Sequence, residues 1–252
     1  MSEALVLQSR SGAVATITLN HPDKANVLSL AMMDALQEAV EKAGADDSTH
    51  VIVLAANGRL FCAGHNLAEL QAQPDAAHVE TLFQRCTALM SAIRELPKPV
   101  MAKVQNSAMA AGCQLVAVCD LAYAAEGAKF GLNGINLGLF CSTPSVAVSR
   151  SMAPRQALEL AMTGNLITAA RAAELGLINE AFPAAMLDEE VRRRADDIAA
   201  KDPQSLALGK KLFWQQAALP EAEAYALAGK AMATNMQFSP TRQKIAGFLN
   251  KR

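Results

Sequence analysis

The sequence predicts an α/β fold with a C-terminal helical subdomain, and three observations predict it. Short apolar, β-branched runs alternate with stretches of helical period through the first part of the chain. Twice a strand pattern runs through a turn of small residues into a helix pattern, at 51–70 and again at 99–118. From Pro154 onward strand patterns almost vanish and helix patterns follow one another to the end. This organisation predicts an α/β core over 1–195 and a helical subdomain over 196–252, with no low-complexity segment or long linker.

Taken in order, residues 4–9 and 13–19 alternate well enough for a β-hairpin about Ser11-Gly12, with Val14, Ile17 and Leu19 supplying apolar surface. Asn20 to Asn26 is a polar loop in which Pro22 and Asp23 form turns. Ser29 is placed to cap a helix whose stripe is Leu30, Met33, Leu36 and Val40, and Gly44 ends it. The run 51–55 is apolar throughout, as a strand buried on both faces requires, and Asn57-Gly58 breaks it. The chain then turns through Ala63-Gly64 and enters a helix near Leu67. Val79, Leu82, Phe83, Cys86, Leu89, Met90 and Ile93 recur at helical spacing as an inward face, so 76–95 is a second long helix that Pro97 and Pro99 stop. A strand over 99–104 leads into the small-residue turn 105–114 and a helix through Leu115, Val116 and Val118. Short strands are expected at 120–124 and 129–131, and helices at 154–162, 168–175, 184–200, 203–217, 220–235 and 240–250.

A chain of 252 residues that is 52% hydrophobic can bury a large core. Its net charge of −1 supplies no basic field for a phosphate backbone, so no nucleic-acid partner is expected. No uninterrupted apolar run approaches the roughly 18 residues of a membrane helix, and Met1-Ser2-Glu3-Ala4 does not read as a secretory signal. The five cysteines form no Cys-x-x-Cys pair and the four histidines sit at no metal-ligand spacing. Reduced thiols in a cytoplasmic protein without a metal are the expectation.

The turn at Ala63-Gly64 carries the first chemical hint. Small residues between a strand and a helix leave backbone N–H groups unpaired, and these can hold an anionic oxygen at the positive end of the helix. By itself such a turn also reads as an ordinary strand-to-helix connection.

Several ordered motifs sharpen this. Leu19-Asn20-His21-Pro22 through Ala25-Asn26-Val27-Leu28, Phe61-Cys62-Ala63-Gly64-His65-Asn66-Leu67, and Ala110-Ala111-Gly112-Cys113-Gln114-Leu115 followed by Cys119-Asp120 occur in sequence. Thr163-Gly164 through Gly176-Leu177-Ile178, and Ala246 to Arg252, complete the set. On these residues the chain resembles the enoyl-CoA hydratase/isomerase, or crotonase, family. The resemblance implies a crotonase-like (ClpP/crotonase) spiral of ββα turns with a C-terminal helical trimerisation region, assembled as a trimer or dimer of trimers. It implies an enzyme of fatty-acid metabolism acting on an enoyl-CoA or other acyl-CoA thioester, with coenzyme A as part of the substrate and no separate cofactor. The thioester carbonyl would sit in an oxyanion hole formed by the backbone N–H groups of His65 and Ala111. Around it the resemblance sets Ala25, Ala63, Gly64, Asn66, Leu67, Ala110, Gly112, Asn133 and Cys141, with Lys24 and Lys251 as partners for the CoA phosphates. The His65 side chain is expected only to line the cleft.

The chain also departs from the family pattern. Ala110 and Ala111 replace glycines, Asn106 replaces a turn glycine, and Asn66 replaces an aspartate. Family hydratases use two glutamates on one water; the matching positions here are Gln114 and Gly134. Between Glu126 and Glu159 there is no Asp or Glu to stand in. Glutamine neither takes nor gives a proton at neutral pH, so hydration should be slow. Phe140-Cys141-Ser142-Thr143-Pro144 most resembles the branch called enoyl-CoA hydratase domain-containing protein 3, named for homology. Decarboxylation or hydrolysis of a thioester, or binding without turnover, stand as alternatives, with Gln114, Asn133, Cys141, Ser142 and Thr143 as polar donors. Glu69, Asp75 and Glu80 follow the first turn and read as a solvated helix face.

Overall fold

The hairpin at the start of the chain lies at one edge of a six-stranded sheet in the computed structural model, which describes residues 4–250. Its strands are β1 (Val6–Ser11) and β2 (Val14–Leu19). The turn falls on Gly12 and Ala13, one residue beyond the expected place, because Ser11 pairs with Val14 and Gly12 takes φ of 57°. Helix α1 (Leu30–Ala45) starts where Ser29 accepts the Met32 N–H, and it leads to β3 (Val51–Ala56), parallel to β2. Next come α2 (Leu67–Ala72) and α3 (Ala76–Glu95), then β4 (Val100–Val104), β5 (Ala108–Met109) and α4 (Ala111–Val118). Strands β6 (Leu121–Ala125) and β7 (Lys129–Gly131) precede α5 (Ser142–Val148) and α6 (Pro154–Thr163). After β8 (Ile167–Thr168), α7 (Ala169–Glu174) and β9 (Glu180–Phe182), the chain ends in α8 (Leu187–Ala199), α9 (Pro203–Gln216), α10 (Glu221–Asn235) and α11 (Ser239–Leu249).

The main sheet runs β1-β2-β3-β4-β6-β9, and a smaller one runs β5-β7-β8. One turn of the spiral gives a strand to each sheet and then a helix; β4, β5 and α4 are the clearest turn. Both faces of β3 are covered, which explains its unbroken apolar run. Ile52 and Leu54 enter the main core with Leu36 and Leu89, whereas Val51 and Val53 pack with Leu187, Val191 and Ala195 of α8.

Strands persist beyond Pro154 as β8 and β9, two and three residues long and too short for a period-2 pattern to register. The stretch after Cys141 is helical; Pro144 sits in the first turn of α5, where its missing N–H has no helical partner to lose. Helix α8 spans residue 195 and packs in the core, and from Pro203 onward no helix among the described residues has a fully buried residue. Helix α9 is tied down by a buried ion pair: Lys210 Nζ lies 2.7 Å from Asp120 Oδ2, the two side chains 7% and 16% exposed. Trp214 Nε1 donates to the other Asp120 oxygen at 3.3 Å.

Candidate active site

Two turns meet at the edge of the small sheet, and backbone contacts hold them together. Asn26 is fully buried; its Nδ2 donates to the Asn57 and Leu60 carbonyls at 2.8 and 2.9 Å, and its Oδ1 accepts the His21 N–H. The N-terminal loop is thereby stitched to the segment before the first turn. The Ala63 N–H donates to the Ala25 carbonyl at 3.1 Å, and the Leu28 N–H to the Gly64 carbonyl at 2.8 Å. On the other side the Phe61 N–H donates to Ser107 and the Met109 N–H to Cys62. The Ala63-Gly64-His65 turn therefore runs between the N-terminal loop and the second turn.

Glycines make this approach possible. A Cβ on Gly112 would collide with the Cys62 carbonyl. Gly64 has φ of 103°, and a Cβ there would stand 3.0 Å from Ala110 Cβ and 3.4 Å from the Ala111 nitrogen. Residues 64–65 and 110–111 thus lie side by side. Ala110 takes φ of 49° and ψ of −119°, a conformation that suits glycine better, and its N–H donates to the Gly131 carbonyl at 2.9 Å. Ala111 opens α4, and His65 and Asn66 precede Leu67, where α2 begins. Among the described residues neither the His65 nor the Ala111 N–H has an acceptor. Two preset donors of this kind suit an oxyanion.

One turn into α4 the Gln114 side chain is 5% exposed and takes a long contact from the Cys86 thiol, 3.9 Å to Oε1. Asn133 points its amide at Met109 Sδ, 3.9 Å away, so it lies against the second turn. Gly134 cannot hold a side chain as the loop stands: a Cβ would fall 2.5 Å from the Leu139 carbonyl oxygen and 2.8 Å from Cys141 Sγ. Other carboxylates are engaged elsewhere. Glu69 accepts the Leu30 N–H at the start of α1, Asp75 caps α3 at His78, and Glu80 accepts from Gln84. Lys24 is exposed on the N-terminal loop, and Lys251 lies outside the described residues.

Electrostatics leave the site without a ready base. Burial pushes the Cys62, Cys86 and Cys113 thiols up to about 12, and pushes Cys141 up as well, although the Gly134 N–H opposes it. Burial also holds the His65 imidazole below its ordinary range, with the Leu28 backbone only partly opposing. Among the described residues neither buried ring nitrogen has a hydrogen-bond partner at ordinary distance and angle, and the ring meets Phe83 edge-on at 5.2 Å. His65 is therefore neutral at physiological pH.

A family model described as Enoyl-CoA hydratase/isomerase matches residues 9–252. The chain belongs to the enoyl-CoA hydratase/isomerase family. An enoyl-CoA hydratase structure from Mycobacterium smegmatis superposes with a TM-score of 0.97 at 46% identity, over 99% of this chain and 98% of that one. Human enoyl-CoA hydratase domain-containing protein 3 superposes at 0.96 with 38% identity, over 99% and 98%. The Danio rerio protein of that name, called mitochondrial, is 37% identical over 251 residues, all of this chain and 87% of the relative. These likenesses bear out the crotonase fold, the helical C-terminus and the expected branch of a family that binds acyl-CoA substrates. No helix among the described residues is long and apolar enough to cross a membrane.

Sequence reasoning missed what lies beyond Gln114. A cavity of about 320 Å³ opens between α3, α4 and α5, and Arg94, Arg150 and Trp214 line it with Gln114. The signal was present as spacing: Thr87, Ser91 and Arg94 on α3, and Thr143 and Ala147 on α5 with Arg150 in the turn just after it, recur at helical intervals.

Proposed function

We propose that the chain binds an acyl-CoA thioester with its carbonyl oxygen between the N–H groups of His65 and Ala111. The observation that carries this reading is the pair of unpaired amides brought side by side by Gly64 and Gly112. Charge that develops on the thioester oxygen during enolate formation would meet two fixed donors, each typically worth about 3 kcal/mol in the reacting state. Ala63, Asn66, Leu67, Ala110 and Asn133 form the walls, Ala25 and Lys24 the entrance, and Lys24 and Lys251 meet the CoA phosphates. Neutral His65 lines the cleft.

The reaction class is that of the family, nominally on enoyl-CoA in fatty-acid metabolism, but with both acid–base positions altered. Gln114 can position a water or a substrate by hydrogen bonding, yet it transfers no proton. The filled space at Gly134 favours a second reading, in which the oxyanion hole serves a thioester reaction without a paired carboxylate. Decarboxylation fits this description, since the departing carboxyl leaves its electrons on the enolate; hydrolysis and binding without turnover are the remaining forms. We further propose self-association as a trimer or dimer of trimers through 196–252, and a reducing compartment, the cytoplasm, for the five unpaired thiols.

The deciding experiment is a turnover screen of the unmodified protein with crotonyl-, malonyl- and saturated acyl-CoAs, alongside binding of each. Thioester binding with very slow crotonyl-CoA hydration is expected. Brisk hydration would overturn the assignment of Gln114 and Gly134 as the acid–base positions.

A further inference from the structure

We propose that the cavity beyond Gln114 receives an acyl chain carrying a carboxylate at its far end, and that Arg150 together with Arg94 selects that end group. This rests on the thioester reading above and adds the substrate class to it.

The cavity has two unlike ends. At the inner end Gln114 lies one helical turn beyond Ala111, so a chain leaving the carbonyl site meets it first. The outer end lies a further turn along α4, at Val118, and there Arg94, Arg150 and Trp214 line the wall. From Thr143 on α5 to Arg150 in the turn after it is seven residues, about 10 Å at the helical rise. An extended chain advances about 1.2 Å per bond, so about eight bonds span the distance. Between the ends the surface is apolar, made by Met90, Val146 and Ala147.

A methyl-terminated chain would fill these walls and bring hydrocarbon against two guanidinium groups. Arg94 is fixed there: its guanidinium lies 3.6 Å over the Trp214 ring, and Nη2 donates to the Ala117 carbonyl at 3.1 Å. Arg150 donates Nη1 to the Val146 carbonyl at 2.8 Å and is otherwise exposed. Each guanidinium carries five N–H donors, so both retain donors for a ligand. Burial disfavours the charge on Arg94, Asp120 opposes this, and the Arg150 charge adds to it; an anion between the two would relieve that repulsion. Glu95 is the acidic residue of the lining, against two arginines, and Asp120 is already held by Lys210. A planar carboxylate matches the guanidinium fork, which gives the selection its geometry.

The test compares two saturated thioesters of equal length, octanoyl-CoA and its counterpart ending in a second carboxylate, by calorimetric titration of the full chain. The carboxylate-ended thioester should bind about tenfold more tightly, the ratio that one modest charge-assisted contact supplies. Arg150→Gln should erase the preference by weakening the carboxylate-ended thioester about tenfold, with circular dichroism unchanged, because Arg150 is exposed and its loss leaves the fold intact. Equal affinities in the unmodified protein would overturn the proposal, as would a preference that survives Arg150→Gln. If neither thioester binds, the thioester reading falls and this proposal with it; if octanoyl-CoA binds without discrimination, only this proposal falls. Arg94→Gln, if folded, should reduce the preference in the same direction, and a folded variant that keeps it in full would restrict selection to Arg150 and overturn the paired role.

Discussion

At Gly112 one methyl group decides whether the two turns can meet. Gly112→Ala would force Cβ into the Cys62 backbone, and overpacking of this kind typically costs about 1–3 kcal/mol. Chemical denaturation should show that loss, and acyl-CoA titration a weaker complex, because the Ala111 N–H moves with its neighbour. Ala110 presents the opposite case. Its φ of 49° is strained for a residue with a side chain, so Ala110→Gly should gain about 1 kcal/mol despite the added freedom of the unfolded chain. The vacant carboxylate positions are not equivalent either. Gln114→Glu places a carboxyl at the existing cavity and should raise crotonyl-CoA hydration by about 10²-fold, measured as initial rates. Adding Gly134→Glu should give no further gain and lower stability, because Leu139 and Cys141 occupy the space a side chain would need. A synergistic rise in the double variant would show that this loop opens readily. The buried thiols supply a pH test. For Cys62, Cys86 and Cys113 the folded value near 12 exceeds the ordinary 9.0, so their contribution to stability is full below pH 9 and lost as pH rises toward 12. Thiol-reactive dye should therefore label native protein slowly at pH 8 and all five cysteines on unfolding.

Among the elements, long periodic segments were legible and short ones were not. Helix α3 carries its own inward stripe and two prolines after it, so its ends, Ala76 and Glu95, follow from local chemistry. Strands β5, β8 and β9 exist only because a neighbouring strand pairs with them, as Ala108 does with Phe130 and Tyr123 with Glu180, and no local pattern announces that. The two turns of the site were legible through their motif residues, since Gly64 and Gly112 have a steric task that no other residue performs. The cavity was not, because Arg94 and Arg150 come together only when α3 and α5 pack on α4. Helix α9 shows the same limit. Lys210 and Asp120 are ninety positions apart in the chain and meet in the fold, where Lys210 also donates to the Ile93 and Lys98 carbonyls. Lys210→Met would leave the Asp120 charge with Trp214, the Val100 N–H and the Arg94 charge nearby, and breaking such a pair typically costs about 3–5 kcal/mol. Hydrogen exchange should then speed up across α9 before it does in β4, and uniform protection would argue against an anchoring role.

On the scale of the whole molecule, the exposed large apolar side chains include two groups on different elements. Phe213, Tyr225 and Met232 of the C-terminal helices are 60%, 72% and 71% exposed. Leu137, Leu158 and Met162, on and beside α6, are 71%, 48% and 62% exposed. Two unlike patches on one chain are what a head-to-tail contact requires, and such contacts close into rings when the rotation allows, whereas a two-fold dimer uses one patch twice. On this basis we propose a cyclic trimer, with the C-terminal helices of one copy against the α6 region of the next. Sedimentation of the unmodified protein at micromolar concentration should give a mass of three chains or six. Phe213→Glu combined with Tyr225→Glu should yield monomers, and so should Leu137→Glu combined with Met162→Glu, each with unchanged circular dichroism from the core. Mixing the two monomeric variants leaves one intact pair of patches between them, so the mixture should form a one-to-one dimer and go no further. A single patch used twice predicts otherwise: one of the two variants would stay oligomeric alone, and the mixture would gain no dimer.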